Sequence, residues 1–245
     1  MAKAVGSSVT HGPTNTATRT VAATLGVLVG IGSIDHGLLE CLQGFRPTPG
    51  LIVNALGSGY RWTAWKQGGE GALTLIPNYL LSGIMATSLG LVMIAWSLRF
   101  IESRRGPLVF LLLGVTSFFT GGGVAQVALF TIGWGVATRI HASLVFWEGL
   151  IPKSQRHALG VVWPWTLTAS VVLFLAALEI AVFGYVPRVN DQTQLLHICW
   201  NILALALALF LISVCSGFAW DLEARQSTYL LAVDSQTAHT KTLSL

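Results

Sequence analysis

The chain has 245 residues, of which 53% are hydrophobic and only 10% charged, and its mean hydropathy is +0.68. A soluble domain carries about a quarter of its residues charged, so the composition excludes an ordinary soluble protein and predicts an all-α, polytopic membrane helical bundle. The net charge of +4 comes without a dense Lys/Arg tract or an aromatic–basic motif, which argues against a nucleic-acid partner; loops retained in the cytoplasm collect such a basic excess.

Residues 1–19, rich in Ser, Thr, Ala and Gly, read as a disordered tail. The membrane domain is expected over 20–220, with about five spans and two long interfacial loops. The first span is predicted over 20–42. Its apolar run opens at Val21 and passes into Asp35-His36 without the small-x-small cleavage site of a signal peptide. Gly26 and Gly30 form a GxxxG pattern that Ser33 and Gly37 continue; small residues let a neighbouring helix approach closely.

Residues 43–71 form the first long connection, broken by Pro47, Pro49, Gly50, Gly57 and Gly59. Leu51–Leu56 reads as a short interfacial or re-entrant turn. Tyr60, Trp62 and Trp65 lie beside Arg61 and Lys66, the pattern of a headgroup-level segment. The second span is predicted over 72–98, with Pro77 and Asn78 in its first third. Arg99, Glu102, Arg104 and Arg105 follow it, and Gly106-Pro107 restarts the chain.

The third apolar run, 108–138, is 31 residues long, about 46 Å as a straight helix against a hydrocarbon core of about 30 Å. Gly121-Gly122-Gly123 near its middle predicts a kink, a tilt or a break. A hairpin of two half-helices is the further possibility, each half being too short to cross. Residues 139–158 form the second connection, with an interfacial helix expected at Leu144–Trp147. The fourth span is predicted over 159–186 and the fifth over 194–220, with a polar tail, helical at first, over 221–245. Cys41, Cys199 and Cys215 form no CxxC pair and read as buried free thiols.

Five spans place the termini on opposite sides. Lysine and arginine then divide as six on the N-terminal side and eight on the other, which decides nothing. The tight Arg99–Arg105 cluster favours a cytoplasmic N-terminus in the inner (plasma) membrane.

Two polar clusters carry the chemistry. The first is Asp35, His36 and Glu40, with Glu70 and Asn78 arriving from the next span. Asp35 lies roughly 21 Å along the first helix, in the far third of the core. His36 and Glu40 share a face by four-residue spacing and Asp35 points to an adjacent one. Three readings are open: a hydrogen-bond network pinning two helices, a ligand or proton site, and a divalent-metal site using His36, Glu40 and Asp35. The second cluster is Glu179 with His197 and Asn201, read as a buried Glu179–His197 hydrogen bond or as a proton-coupled or haem-ligating site. Five spans put His36 and His197 toward opposite sides, which argues against haem ligation by both. No nucleotide-binding loop, HExxH or GxSxG occurs. Gly121–Gly123 lack a phosphate-binding lysine and read as a packing or kink site.

Several stretches carry a resemblance: GSIDHGLLECLQG at 32–44, ALTLIPNYLLSG at 72–83, GGGVAQ at 121–126, WPW at 163–165 and LEIAVFGY at 178–185. Together they touch most of the membrane part, the tails excepted, and they resemble a bacterial family of multi-pass integral membrane proteins. The resemblance implies a helical membrane fold and no activity, and no cofactor is identified. Two functions compete. One is a small transport or accessory subunit working with the lipid bilayer and a membrane-protein partner or a second copy. The other is a membrane enzyme acting on a lipid-soluble substrate, with Asp35 or Glu40 as general base and His36 as acid or metal ligand.

Overall fold

A computed structural model describes residues 14–54 and 71–242, with side chains described as far as residue 228. The elements run α1 (Thr16–Leu42), β1 (Ile52–Asn54), β2 (Gly71–Leu73), α2 (Tyr79–Arg99), α3 (Gly106–Phe119), α4 (Gln126–Ala137), α5 (Val145–Leu150), α6 (Lys153–Phe183) and α7 (Gln192–Thr242). The class is all-α, with one small two-stranded sheet. Four helices are long and apolar enough to cross a membrane: α1, α2, α6 and the first 37 residues of α7.

Helix α1 is the axis of the bundle, packed by α2, α4 and α7 along most of its length. Its core side chains Val21, Leu25, Leu28 and Val29 meet Met93, Phe110, Phe130, Leu167, Phe174 and Phe210. The α1–α2 seam is built from small residues, as the GxxxG pattern predicts. A Cβ on Gly30 would stand 2.7 Å from the Gly90 carbonyl oxygen, one on Gly90 2.6 Å from that of Gly30, and one on Gly37 2.6 Å from that of Gly83. Backbone lies on backbone at these crossings, and only hydrogen fits between. The pattern on α2 is Gly83, Gly90 and Ser97, a repeat of seven.

The third apolar run is neither one helix nor a crossing. It breaks at residues 120–125 into α3 and α4, which fold back on each other. Gly114 packs on Phe130 and Gly133 on Phe110, so residue numbers fall on one helix as they rise on the other. Two glycines with positive φ, Gly121 at +94° and Gly123 at +89°, make the reversal. Both open ends of this hairpin lie at the end of the bundle where α1 begins. There Arg19 pairs with Glu102 at 2.8 Å, and Asn15 Nδ2 donates to the Arg139 carbonyl at 2.7 Å.

That return changes the topology. Helix α6 ascends beside α1, with Leu39 meeting Leu178 and Val182, and α7 descends against it. Asp221 of α7 then reaches the first turn of α1. The start of α1 and the Asp221 turn of α7 therefore lie at the same end of the bundle, and the expectation of opposite ends is overturned. Arg19, Arg99, Arg104, Arg105, Arg139, Lys153, Arg156 and Arg225 gather at this near end, against Arg46 and Arg188 among the described residues at the far end.

Several boundaries also move. Helix α1 starts at Thr16, inside the segment expected as tail, and α7 continues unbroken through the expected polar tail to Thr242. Carboxylate capping explains the first: Asp221 accepts from Ala17 N at 3.0 Å, Thr18 N at 2.9 Å and Thr18 Oγ1 at 2.6 Å, where a helix start presents unpaired N–H groups and positive dipole charge. The second helix begins at Tyr79, not 72. Pro77 has no N–H to continue a helix backwards, and Asn78 caps α2 by accepting from Leu81 N at 3.2 Å. Ile52–Asn54 and Gly71–Leu73 are strand, not a re-entrant turn, in antiparallel register with Val53 opposite Ala72; residues 55–56 of the expected turn lie outside the described residues. A short helix at the second connection is present as α5, one residue later than the expected Leu144 start, with Val145, Phe146 and Leu150 exposed. Cys215 is exposed rather than buried.

Candidate functional site

At the far end of α1, Ser33, His36 and Glu40 follow one another at three- and four-residue spacing, so they share one face. That face is fully covered: Ser33 and Glu40 are 0% exposed and His36 2%. The cover is the reversal between α3 and α4. A Cβ on Gly121 would stand 2.5 Å from Glu40 Oε1 and 2.6 Å from Oε2, and a Cβ on Gly123 would stand 2.6 Å from His36 Nε2. Glycine is required twice over, for the positive φ and for the absence of a side chain. The loop backbone rests directly on the carboxylate and the imidazole.

Strand β2 holds the loop in place. Gly121 N donates to Leu73 O at 2.9 Å, Leu75 N to Phe119 O at 2.9 Å and Val124 N to Gly71 O at 3.1 Å. The helical hairpin thus ends in a strand-like edge paired to the small sheet. Ser82 of α2 closes the side, donating to Thr74 Oγ1 at 2.7 Å. Below the loop, Ser33 Oγ lies 2.7 Å from Ser117 Oγ and 2.8 Å from Gln126 Oε1. Ser33 Oγ also lies 3.0 Å from Val29 O; with one proton shared between that carbonyl and the amide oxygen, Ser33 accepts from Ser117.

Glu40 brings a carboxylate into this belt. Neither of its oxygens accepts a hydrogen bond from a described donor. Ser82 is its neighbour, as is His36, but the Ser82 hydroxyl is directed at Thr74 Oγ1 and Thr120 O. The Gln126 Nε2 amide, also buried, has no acceptor either. A bare buried carboxylate costs several kcal/mol, and in apolar surroundings that cost is removed by a proton on the acid or by positive charge on an adjacent imidazole. The site therefore holds one acid and one base in contact distance of a flexible-φ backbone loop, shielded from water.

The remaining expected members are distributed otherwise. Asp35 is half-buried on the adjacent face, as its spacing predicts. Asn78 is occupied as the α2 cap and does not join His36 and Glu40. Glu70 lies outside the described residues. Among the described residues no three His, Cys, Asp or Glu side chains gather closely enough to hold a metal ion; His36 and Glu40 bring two.

The second cluster does not form. Glu179, His197 and Asn201 are all exposed on the outer surface of α6 and α7. The α6–α7 seam is instead apolar and small, with Cys199 Sγ 3.5 Å from the Ala177 carbonyl oxygen and Phe174, Ile180, Leu195, Ala206 and Phe210 buried. The hairpin return also puts His197 at the same end as His36, not the opposite one.

Sequence reasoning missed Ser33, Ser82, Ser117, Gln126 and the lid role of Gly121 and Gly123. The usable signal was the excess length of the third run joined to its central glycines. A run too long to cross once, interrupted by residues able to take positive φ, is a hairpin whose tip must land somewhere buried. Compared with known proteins, the chain matches no family model, no curated protein and no solved structure.

Proposed function

We propose that this chain is a multi-pass bacterial inner-membrane protein, a small transport or accessory subunit in which Glu40 and His36 hold and release a proton beneath the α3–α4 reversal. The observation that carries the reading is the buried carboxylate: Glu40 is fully buried, accepts no hydrogen bond from a donor among the described residues, and lies beside His36 under the backbone of Gly121 and Gly123. A proton needs no cavity, and the tight cover over this pair leaves little room for a larger substrate. Proton relays are one of the established uses of ionisable side chains inside membrane bundles.

The bacterial membrane family that the sequence resembles belongs to the same proposal. So does a cytoplasmic N-terminus, supported by the basic side chains gathered at the near end and sparse at the far end.

Difference infrared spectroscopy across a pH titration, in vesicles, tests the proton site. The wild type should show one protonated-carboxyl band that appears and vanishes with pH and that Glu40→Gln abolishes. His36→Gln should displace its midpoint. A titrating band that persists in Glu40→Gln, with normal helicity, overturns the reading.

A further inference from the structure

At the near end, a cavity of about 410 Å³ opens between α5, the first turn of α6 and α7. Lys153, Arg156 and Arg225 line it, together with Ser143, Gln226 and one acid, Glu148. We infer that this cavity binds the phosphate group of an anionic glycerophospholipid. The inference rests on the membrane reading above, but no residue of the Glu40 site takes part, so failure of the proton site leaves it standing.

Three observations converge. The first is charge and rigidity. The Arg156 side chain is only 5% exposed and is fixed by donating Nε to Ile151 O at 3.2 Å and Nη2 to Glu148 O at 2.9 Å. Arg225 Nη2 is fixed on Ala142 O at 3.0 Å. The Arg156 guanidinium is thus pre-oriented beside the cavity, next to the Lys153 ammonium, with its two carbonyl bonds using only part of its five donors. Preorganised guanidinium is the side chain best suited to phosphate oxygens.

The second is depth. Helix α5 exposes Val145, Phe146 and Leu150 while Trp147 stacks on Phe218 with ring centroids 4.6 Å apart. Exposed apolar side chains beside a basic rim mark the level where acyl chains meet headgroups. An acyl chain can follow α5 while the phosphate enters the cavity. Basic pockets between membrane helices at a cytoplasmic face take lipid headgroups by this logic.

The third is the state of Glu148. Its carboxylate lies 3.6 Å from Arg156 Nη1, and its side chain is 53% exposed. This is a loose pair, too long for a hydrogen bond. The acid stands where an external anion would stand, and so competes with it.

Native mass spectrometry of the detergent-purified full chain, titrated with phosphatidylglycerol, phosphatidylcholine or inorganic phosphate, tests the inference. The wild type should retain one phosphatidylglycerol at least fivefold better than phosphatidylcholine. Lys153→Gln should weaken retention roughly fivefold, about the worth of one surface charge facing an anionic lipid. Glu148→Gln should strengthen it, an opposite sign that loss of structure cannot produce. Inorganic phosphate that competes fully at equal concentration would assign the site to a free anion and overturn the lipid source. Equal retention of both lipids, or weakening by Glu148→Gln, overturns the site itself.

Discussion

The two halves of the bundle treat polar residues in opposite ways. Around α1, α2 and the α3–α4 hairpin, polar groups face inward and are covered. Ser33, His36, Glu40, Ser82, Ser117 and Gln126 are all buried, and glycine lets backbone approach close enough to seal them. In the α6–α7 hairpin the inward face between its ends is apolar apart from the small hydroxyls of Ser170, Ser213 and Ser216, while Glu179, His197 and Asn201 face outward. Both halves carry an acid and a histidine within apolar runs. What separates them is the partner's surface. A glycine-rich loop can enclose a carboxylate, whereas a wall of Phe174, Ile180, Leu195 and Phe210 excludes it. An intramembrane ionisable residue thus becomes a site only where the opposing element is small enough to close over it.

The sharpest way to break this contrast is at the α1–α2 seam. Gly90→Leu puts a side chain where 2.6 Å separates a Cβ from the Gly30 carbonyl oxygen. Backbone must move, so the loss should reach about 3 kcal/mol, the top of the overpacking range. Denaturant unfolding in mixed micelles reads it, and a loss below about 1 kcal/mol would mean that the close crossing does not hold the bundle.

Next is the lid. Gly121→Ala meets both a positive φ of +94° and the Glu40 carboxylate, with an expected cost of about 2 kcal/mol. Adding Glu40→Ala should recover the contact part and leave the backbone part. Additive losses in the double-mutant cycle would show that the loop does not rest on the acid.

The smallest effect belongs to the other half. Glu179→Leu and His197→Leu should each change stability by less than about 0.5 kcal/mol, as surface substitutions do. A larger loss in vesicles would reveal that the outer face of α6–α7 is covered there.

How much of this was legible follows from which signals are local. Helix identity, the small-residue face of α1 and the His36–Glu40 pair are all set by three- and four-residue spacing, and these stand as read. Chain direction is not local. Whether residues 108–138 cross or return depends on what the tip at Gly121–Gly123 pairs with, and that partner is strand β2, some fifty residues earlier in the chain. One wrong parity then reversed the depth of His197 and the charge balance between the two ends. Asn78 misled for a related reason. Asparagine before an apolar run reads equally as an intramembrane ligand or as a cap, and only the Pro77 before it tips the balance toward a cap. Asp221 looked like the first residue of a tail because nothing near it in sequence names its partners in the first turn of α1.

That last contact has a temporal side. The amide and hydroxyl donors at Thr18 wait for an acceptor 203 residues downstream. At about 5–20 residues per second of synthesis, the first helix spends roughly 10–40 s with its leading turn unlatched. Until Asp221 arrives, the opening segment is held only by helices that follow it directly. The protein therefore closes like a clasp, fastened by the final helix, and a nascent chain stalled before residue 221 should show a frayed, protease-accessible start.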